Sequence, residues 1–260
     1  MPLDTARFDI HVDRLCMRYG PIVALDDVSF TVTPGSITAL LGGNGAGKTT
    51  ALSILLGLLI PTSGTVRVAG VDMLRDRYRA LQVMNFQSPY VDLPRRLSVR
   101  ENLRVYGALY GVADTPERIR ALSGELELDA YLDRPTGDLS AGQRTRVALA
   151  KAMINEPRVL LLDEPTASLD PDTADWIRGY LAAYRDRTGA TLLLASHNMA
   201  EVERLCDQVY VLRAGRVVDL GQPGDLIRRY GRRTLEEVFI DIARHGAGAH
   251  AAAARKASAR

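Results

Sequence analysis

A glycine-rich segment around residue 45 constrains the fold of this chain more than any other feature of its sequence. The segment fits the pattern G-x-x-x-x-G-K-[ST] and directly follows the short apolar run 37–41. Glycines let the backbone curl so that its N–H groups point towards a phosphate, and the helix that follows adds its positive N-terminal end. In such a loop Lys48 reaches the outer phosphates and the Thr49 hydroxyl binds Mg²⁺. We therefore predict a nucleotide-binding loop that comprises Gly42, Gly43, Asn44, Gly45, Ala46, Gly47, Lys48, Thr49 and Thr50.

Composition and charge set limits on the class of protein. The chain has 260 residues, enough to bury a full core in one domain or two, and its net charge of +2 does not point to nucleic acid as a partner. Cys16 and Cys206 lie far apart and lack the spacing of metal ligands. Two such cysteines are typical of a cytoplasmic protein with reduced thiols. The longest apolar run, 51–60, is too short to span a bilayer, and the first residues lack a secretory pattern. We therefore expect a chain that does not cross a membrane by itself.

Apolar periodicity predicts an α/β organisation, in which short apolar runs typical of buried strands alternate with helical segments. Strands are predicted at 8–12, 28–32, 37–41, 64–70, 81–86, 159–162, 191–195, 208–212 and 216–220, the last two joined as a hairpin at Ala214-Gly215. Helices are predicted at 48–59, from a Ser98–Glu101 capping box to Gly111, from a Thr115 cap onwards, from a Ser140–Gln143 capping box to about 155, at 174–187, and in a last segment capped by Thr234 and Glu237.

The helical segments in the middle of the chain interrupt the strand-rich regions. We therefore divide the region 1–231 into a core, 8–87 and 157–231, and a helical insertion, 88–156. The remaining residues, 232–260, are expected to hold a final helix followed from 246 by a basic, alanine-rich tail that is either disordered or a frayed helix.

Two acidic residues follow the apolar run 159–162 directly. In a parallel sheet ligands bind beyond the carboxyl ends of the strands, where Asp163 and Glu164 would lie. In phosphoryl transfer Asp163 would hold Mg²⁺ through water, and Glu164 would orient and deprotonate the attacking water. A simpler alternative is that the two acids cap the following turn. Because a phosphate-binding loop precedes them, we favour the catalytic interpretation.

The segment 139–143, with the sequence L-S-A-G-Q, predicts a second anion site. Ser140 and Gln143 have the spacing of a capping box, so a helix would begin here with free N–H groups and the positive end of its dipole. By itself the pattern also fits an ordinary capped helix. Two phosphate sites in one chain could serve two nucleotides or share one.

This segment resembles the signature of ABC-type ATPases, which usually reads L-S-G-G-Q, and Asp163 follows it at the spacing of that family. The resemblance covers about residues 8–230, with six motifs in order. It implies an α/β fold: a P-loop NTPase (RecA-like) core with an antiparallel β subdomain and an inserted α-helical subdomain. It also implies that two cassettes pack head to tail, each signature closing on the partner's ATP. The signature residues are Ser140, Ala141, Gly142 and Gln143, with Ala141 in place of the commoner glycine.

The resemblance assigns roles to four further residues. Tyr19 would stack on adenine, with a core tyrosine as the alternative. Gln87, after the strand predicted at 81–86, would contact Mg²⁺ and the attacking water. Asp170 would lie in a loop that crosses to the partner subunit. His197 would contact the γ-phosphate, whereas a lone histidine at a strand end is more often structural.

These residues together imply an ATPase that uses ATP and Mg²⁺, and three classes of function have to be distinguished. They are a subunit of a membrane transporter, a soluble single-cassette ATPase of cofactor or complex assembly, and a passive nucleotide-binding module. Because Glu164 and His197 are both present, the passive module is disfavoured, and the chain lacks the sustained heptads expected of DNA-maintenance members.

The end of the chain favours one kind of transporter. Residues 234–241 resemble the final helix of cassettes from bacterial exporters of hydrophobic or amphipathic solutes, although the same residues also form an ordinary amphipathic packing face. We therefore expect an ATPase subunit at the cytoplasmic face of the cell membrane. Its expected partners are a multi-span membrane permease and a second copy of the chain or a homologous cassette.

Overall fold

The structure, a computed structural model, describes residues 8–89 and 92–245. Its strands are β1 (Ile10–Tyr19), β2 (Ile22–Val32), β3 (Ile37–Leu41), β4 (Ser63–Val68), β5 (Val71–Asp72), β6 (Met84–Gln87), β7 (Val159–Asp163), β8 (Thr191–Ser196), β9 (Gln208–Arg213) and β10 (Arg216–Gly221). Its helices are α1 (Lys48–Leu55), α2 (Arg77–Leu81), α3 (Val99–Leu109), α4 (Thr115–Glu125), α5 (Ala141–Ala152), α6 (Pro171–Thr188), α7 (Met199–Leu205), α8 (Pro223–Tyr230) and α9 (Leu235–His245).

A six-stranded sheet in the order β10-β9-β3-β8-β7-β6 forms the centre of the molecule. The strands β3, β7 and β8 are buried along their whole length, as expected of apolar parallel strands that are covered on both faces. The pairs from β9 to β6 are all parallel, so the carboxyl ends of these five strands lie along one edge. The strand β10 joins antiparallel through the hairpin predicted at Ala214-Gly215, whose φ values of 48° and 76° suit a tight turn.

A second, antiparallel sheet in the order β2-β1-β4-β5 packs over the first, with α1 between them. The strand β1 alternates buried and exposed residues in its first half, so that Ile10 and Val12 point into the core. There they meet Leu52 and Leu55 of α1. The sheets therefore hold the helix that follows the glycine-rich loop in a fixed position.

Helices α3, α4 and α5 lie between β6 and β7 in the chain and cover the opposite face of the central sheet. Both predicted capping boxes are confirmed, at Ser98 with Glu101 and at Ser140 with Gln143. The apolar faces of the three helices pack into one cluster with side chains from β3, β7 and β8. The antiparallel sheet, the parallel core and the helical segment are the three parts expected from the sequence.

Several helix ends differ from the prediction. The helix predicted at 48–59 ends at Leu55, because Gly57 adopts a φ of +68° and turns the chain. The helix predicted to reach about 155 ends at Ala152. The N-cap of α4 is Asp114 and not Thr115, since the Asp114 carboxylate accepts the Glu117 N–H at 3.0 Å.

Other differences concern elements that the sequence pattern did not separate. The strand predicted at 81–86 begins only at Met84, because Leu81 belongs to α2. The strand predicted at 28–32 begins at Ile22, and helices α7 and α8 were not predicted. The tail expected from 246 lies outside the described residues. Within the described ranges, no helix combines the length and apolarity needed to span a membrane.

Candidate functional site

The carboxyl ends of three neighbouring strands bring the predicted phosphate loop, the paired acids and His197 together. The loop follows β3, the acids end β7, and His197 follows β8, which pairs with both of the other strands. Gly42 N–H donates to Ser196 O at 3.2 Å, and Glu164 N–H donates to Ala195 O at 2.8 Å. The backbone hydrogen bonding of the sheet thus continues into the turns after β3 and β7. It fixes the positions of these turns relative to β8.

The glycine-rich loop has the backbone that a phosphate cradle requires. Gly45 and Gly47 adopt φ values of +76° and +105°, which L side chains rarely adopt. A Cβ on Gly47 would lie 2.6 Å from the carbonyl oxygen of Ala24, so only glycine fits. Gly47 is also the N-cap of α1 and has no side chain to occupy the first N–H groups of the helix, which remain available to an anion.

Lys48 lies buried beneath this loop and faces the acids of β7. Its Nζ donates to the carbonyl oxygen of Gly42 at 2.6 Å and lies 3.8 Å from Glu164 Oε1. Burial lowers the pKa of the Lys48 ammonium, and the charges of Glu164 and Asp163 oppose that shift. The arrangement places one cation between the loop and two carboxylates, where it can contact the outer phosphates of a nucleotide.

Glu164 is held at the centre of the site in an unusual backbone conformation. Its φ is +49°, in the left-handed region that non-glycine residues occupy at a cost of about 1–3 kcal/mol. Its Oε1 lies 2.7 Å from His197 Nδ1, and its Oε2 accepts the His197 N–H at 3.3 Å. The carboxylate is therefore oriented by the histidine turn and aimed at the space above Lys48.

The residues expected to hold Mg²⁺ provide a fitting set of oxygen donors. Burial, together with the charge of Glu164, raises the pKa of Asp163, and a hydrogen bond with Thr49 opposes that shift. Gln87 ends β6 next to β7, is 4% exposed, and its Oε1 has no hydrogen-bond partner among the described residues. A carboxylate, a hydroxyl and an orphaned amide oxygen suit a hard divalent cation. In the described part of the chain, no group of three or more His, Cys, Asp or Glu side chains is arranged so that it could hold a metal ion by itself.

The signature segment forms a separate, exposed helix end. Ser140 Oγ accepts the Gln143 N–H at 3.3 Å, and Gln143 Oε1 accepts the Ser140 N–H at 3.0 Å. Ser140 and Ala141 are exposed. Among the described residues, no hydrogen bond or ion pair joins 139–143 to the phosphate loop of the same chain. The N-terminal end of α5, predicted to bind an anion, therefore faces away from the phosphate loop of its own chain.

The structure also places the two remaining predicted residues. Tyr19 ends β1 and is 45% exposed, so it is not the core tyrosine considered as the alternative. Asp170 is the N-cap of α6, where its carboxylate accepts the Thr173 N–H at 2.9 Å, and this bond lowers the pKa of the Asp170 carboxyl. Asp170 thus has a local structural role, and it is exposed on the surface of the chain.

Three polar residues around Glu164 were missed by the sequence reasoning. They are Thr166, Ser196 and Glu201, which are all buried next to the paired acids. One signal was available, because Asn198 and Glu201 have the spacing of an N-cap and its third helical residue. The capping-box spacing predicted the starts of α3 and α5. The similar spacing of Asn198 and Glu201 predicts the start of α7.

A phosphate loop, a strand that ends in two acids, and a capped signature helix on an inserted helical segment define a nucleotide hydrolase of the cassette type. The model of the family described as ABC transporter matches residues 25–167. The chain belongs to this family, its fold is that of a P-loop NTPase, and it is an ATP-binding transporter subunit with ATPase activity.

Known proteins support this assignment along most of the chain. The Nod factor export ATP-binding protein I of Cupriavidus metallidurans is 39% identical over 225 residues, which cover 86% of this chain and 74% of that protein. A solved ATP-binding subunit of an ABC transporter has a TM-score of 0.82 at 28% identity and covers 90% of this chain and 99% of its own. The cassette MJ0796, dimeric and bound to ADP and Pi, has a TM-score of 0.74 at 23% identity, covering 82% of this chain and 98% of its own, and supports the fold alone.

Proposed function

We propose that this chain powers a membrane exporter of a hydrophobic or amphipathic solute by hydrolysing ATP between two cassettes at the cytoplasmic face of the membrane. The observation that carries the proposal is the cluster of Lys48, Glu164 and His197 at three adjoining strand ends. Such a set of charges suits hydrolysis of a phosphate bond, and the exposed signature helix offers a second surface for the phosphates of a partner cassette's ATP.

Each residue of the cluster has a distinct task in this proposal. Lys48 and the loop N–H groups bind the β- and γ-phosphates. Glu164 accepts the proton of the attacking water, and His197, which already holds that carboxylate at 2.7 Å, reaches the γ-phosphate from the other side. Bound Mg²⁺ would neutralise charge on the phosphates, held by Thr49, Asp163 and Gln87.

The proposal requires two cassettes. In one chain the signature segment shares no hydrogen bond with the phosphate loop among the described residues, and both are open to solvent. A second cassette in head-to-tail orientation would place Ser140 and its neighbours, residues 140–143, over the γ-phosphate. The cassette MJ0796, which shares this fold, is an example of a cassette that is dimeric when bound to ADP and Pi.

A cleft beside Gln87 is the proposed contact with the membrane permease. The cleft has a volume of about 310 Å³ and lies between the end of β6, α5 and the turn after Glu164. Its lining includes Gln87, Arg144 and Ser168, so a helix seated there would touch the metal-binding strand and the signature helix at once. Such a contact would transmit closure of the cassettes to the permease.

Export of an apolar or amphipathic solute rests on two supports. The relative from Cupriavidus metallidurans is named for the export of Nod factor. The second is the resemblance of residues 234–241 to the final helix of exporter cassettes; these residues lie at the start of α9, whose Leu235, Val238 and Ile242 are buried as in any amphipathic packing face. The membrane partner would select the solute, so that partner is the object of the test.

The decisive experiment uses Glu164→Gln, which keeps the shape of the side chain and removes the base. We expect this variant to bind ATP, to lose at least about 99% of hydrolysis, and to form a stable ATP-dependent dimer, because base loss commonly costs 10²–10⁴-fold. Light scattering after gel filtration measures the dimer. Lys48→Ala, which should not bind the nucleotide, is the control that must remain monomeric with ATP.

The same variant identifies the partner. Tagged Glu164→Gln protein is recovered with ATP from detergent-solubilised native membranes, and the proteins that co-purify are identified. A multi-span protein in stoichiometric amount supports the exporter. Recovery of soluble proteins alone would replace it with an assembly ATPase, and normal hydrolysis by Glu164→Gln would refute Glu164 as the base.

A further inference from the structure

Glu201 is a buried acid that the proposed mechanism leaves without a task. It lies in the first turn of α7 with an exposed fraction of 1%, and burial raises the pKa of its carboxyl group. Acidic side chains are rarely buried to this extent unless specific partners satisfy their oxygens. The identity of those partners therefore indicates what Glu201 does.

Both carboxylate oxygens of Glu201 accept hydrogen bonds from hydroxyl groups. Thr166 Oγ1 donates to Oε1 and Ser196 Oγ donates to Oε2, each at 2.7 Å. The two donors are themselves 5% and 0% exposed, so water does not compete with either bond. Hydrogen bonds to a charged group are stronger than those between neutral groups, and burial strengthens them further.

The two hydroxyl groups come from the two turns that carry Glu164 and His197. Thr166 stands in the turn after β7, which the Ala167 N–H closes by donating to Glu164 O at 3.1 Å. Ser196 ends β8 directly before His197, and its Oγ also accepts the Asn198 N–H at 3.0 Å. One buried carboxylate thus fastens the turn of the proposed base to the turn of the histidine.

The direction of the Ser196 hydroxyl also bears on the base. Its oxygen lies 2.7 Å from Glu201 Oε2 and 3.5 Å from Glu164 Oε2, and it has a single hydrogen to donate. Because Glu201 accepts that hydrogen, the Glu164 carboxylate keeps its contacts with His197 and Lys48, and its remaining lone pairs stay available for water. Glu201 therefore acts on the orientation of Glu164 without touching the nucleotide.

We propose that Glu201 is a positioning residue for hydrolysis, which clamps the Glu164 and His197 turns together through the hydroxyl groups of Thr166 and Ser196. This inference rests on the proposed function in that it takes Glu164 as the base. A displacement of about 1 Å in a catalytic group can cost about 10²-fold in rate. Loss of the clamp should therefore lower kcat strongly while nucleotide binding, which uses the phosphate loop, is retained.

Two substitutions of Glu201 separate hydrogen bonding from volume and charge. Glu201→Gln keeps both bonds, because the amide can accept from one hydroxyl and donate to the other. Glu201→Met keeps the volume and loses both bonds. For the full chain we expect Glu201→Gln to retain kcat within about threefold and Glu201→Met to lose about 10- to 100-fold, both with an unchanged KM for ATP. The exposed acid Glu203 on the same helix gives the matched control Glu203→Gln, for which kcat should not change.

A double-mutant cycle with Glu164→Gln shows whether Glu201 acts through the base. If it does, adding Glu201→Met to Glu164→Gln lowers the single-turnover rate by less than about twofold, since the clamp then positions nothing useful. Multiplicative losses in the double variant, or full kcat in Glu201→Met, would overturn the proposal. A Glu201→Met protein that binds ATP weakly would also overturn it, because the effect would then be structural. Failure of Glu164→Gln to lose activity would refute the base assignment by itself, which separates the two hypotheses.

Discussion

Glu164 has a strained backbone conformation that its surroundings must stabilise. Glu164, with a φ of +49°, is anchored by the bond from its N–H to Ala195 O and by the contacts of its carboxylate with His197. Strain of this kind persists only where the surroundings over-determine the conformation. The buried ladder between β7 and β8 provides that support. The backbone position of Glu164, the proposed base, is thus set by the sheet.

The site also depends on the absence of a side chain at Gly47. Gly47→Ala would put a methyl group 2.6 Å from Ala24 O on a residue with a φ of +105°, so both sterics and backbone conformation oppose it. We expect a loss of about 3 kcal/mol or more in the free energy of unfolding, together with loss of ATP binding. Gly45→Ala is the matched control, because Gly45 has a φ of +76° but nothing within 4 Å of the added Cβ.

The two variants are compared by chemical denaturation and by titration with ATP. Gly45→Ala should lose only about 1–2 kcal/mol, which is the cost of the left-handed conformation alone. Equal losses in the two variants would mean that the contact with Ala24 does not constrain the loop.

Residue identities at the site were largely predictable, and their connections were not. Lys48, Asp163, Glu164 and His197 could be located because each follows a recognisable apolar strand or glycine motif. Glu201 could not be paired with Thr166 and Ser196, because that pairing arises from the fold and not from spacing in the sequence. Local patterns identify the ends of elements, whereas contacts between turns need the sheet order.

Secondary-structure elements followed the sequence where local signals were strong. The buried strands β3, β7 and β8 and both capping boxes were predicted, because apolar runs and caps act over a few residues. The predicted end of α1 was wrong, since the apolar run through residue 60 continues past the turn at Gly57. There the backbone conformation of one glycine overrides the helical pattern.

Substitution of two glycines within helices should change the free energy of unfolding in opposite directions. Gly179 lies exposed in α6 with nothing within 4 Å of an added Cβ, so Gly179→Ala should raise the free energy of unfolding by about 0.5–1 kcal/mol. A Cβ on Gly107 in α3 would lie 2.4 Å from Thr115 Cγ2, so Gly107→Ala should lower it by about 1–3 kcal/mol. Denaturant unfolding measures both changes. Stabilisation by both variants would show that α3 and α4 can separate freely.

At the scale of the whole molecule, the signature helix is tied to the core on two sides. On one side the Arg146 guanidinium stacks over the Trp176 ring of α6 at 3.9 Å from its centroid. On the other side Lys151 Nζ donates to Phe86 O at 3.0 Å, at the strand that ends in Gln87. The bond from Lys151 connects α5, which we propose contacts a partner's nucleotide, with β6, which ends in the proposed metal ligand Gln87.

Burial of the Lys151 ammonium costs free energy, so stability alone does not explain the presence of this residue. Burial lowers the pKa of its ammonium, and no salt bridge to a carboxylate offsets that cost in the described part of the chain. The half-buried ammonium lies 5.4 Å from the centroid of the Tyr106 ring, and this cation–π contact together with the bond to Phe86 O recovers part of that cost. Its connection between α5 and β6 therefore suggests a role in movement, since rigid links of this kind let two sites respond together.

Lys151→Met tests that role because it keeps the volume and removes the bond to Phe86 O. We expect the free energy of unfolding to fall by no more than about 1–2 kcal/mol, because one hydrogen bond and one cation–π contact are lost, and ATP binding by the monomer to be unchanged. ATP hydrolysis by the dimer should fall several-fold, since closure at the signature would no longer be transmitted to Gln87. Arg104→Met, which removes an exposed cation from α3, is the control for charge and should hydrolyse ATP normally. Full activity in Lys151→Met would mean that Gln87 and the signature helix move independently, and that coupling between the two nucleotides passes through the Trp176 side of the helix.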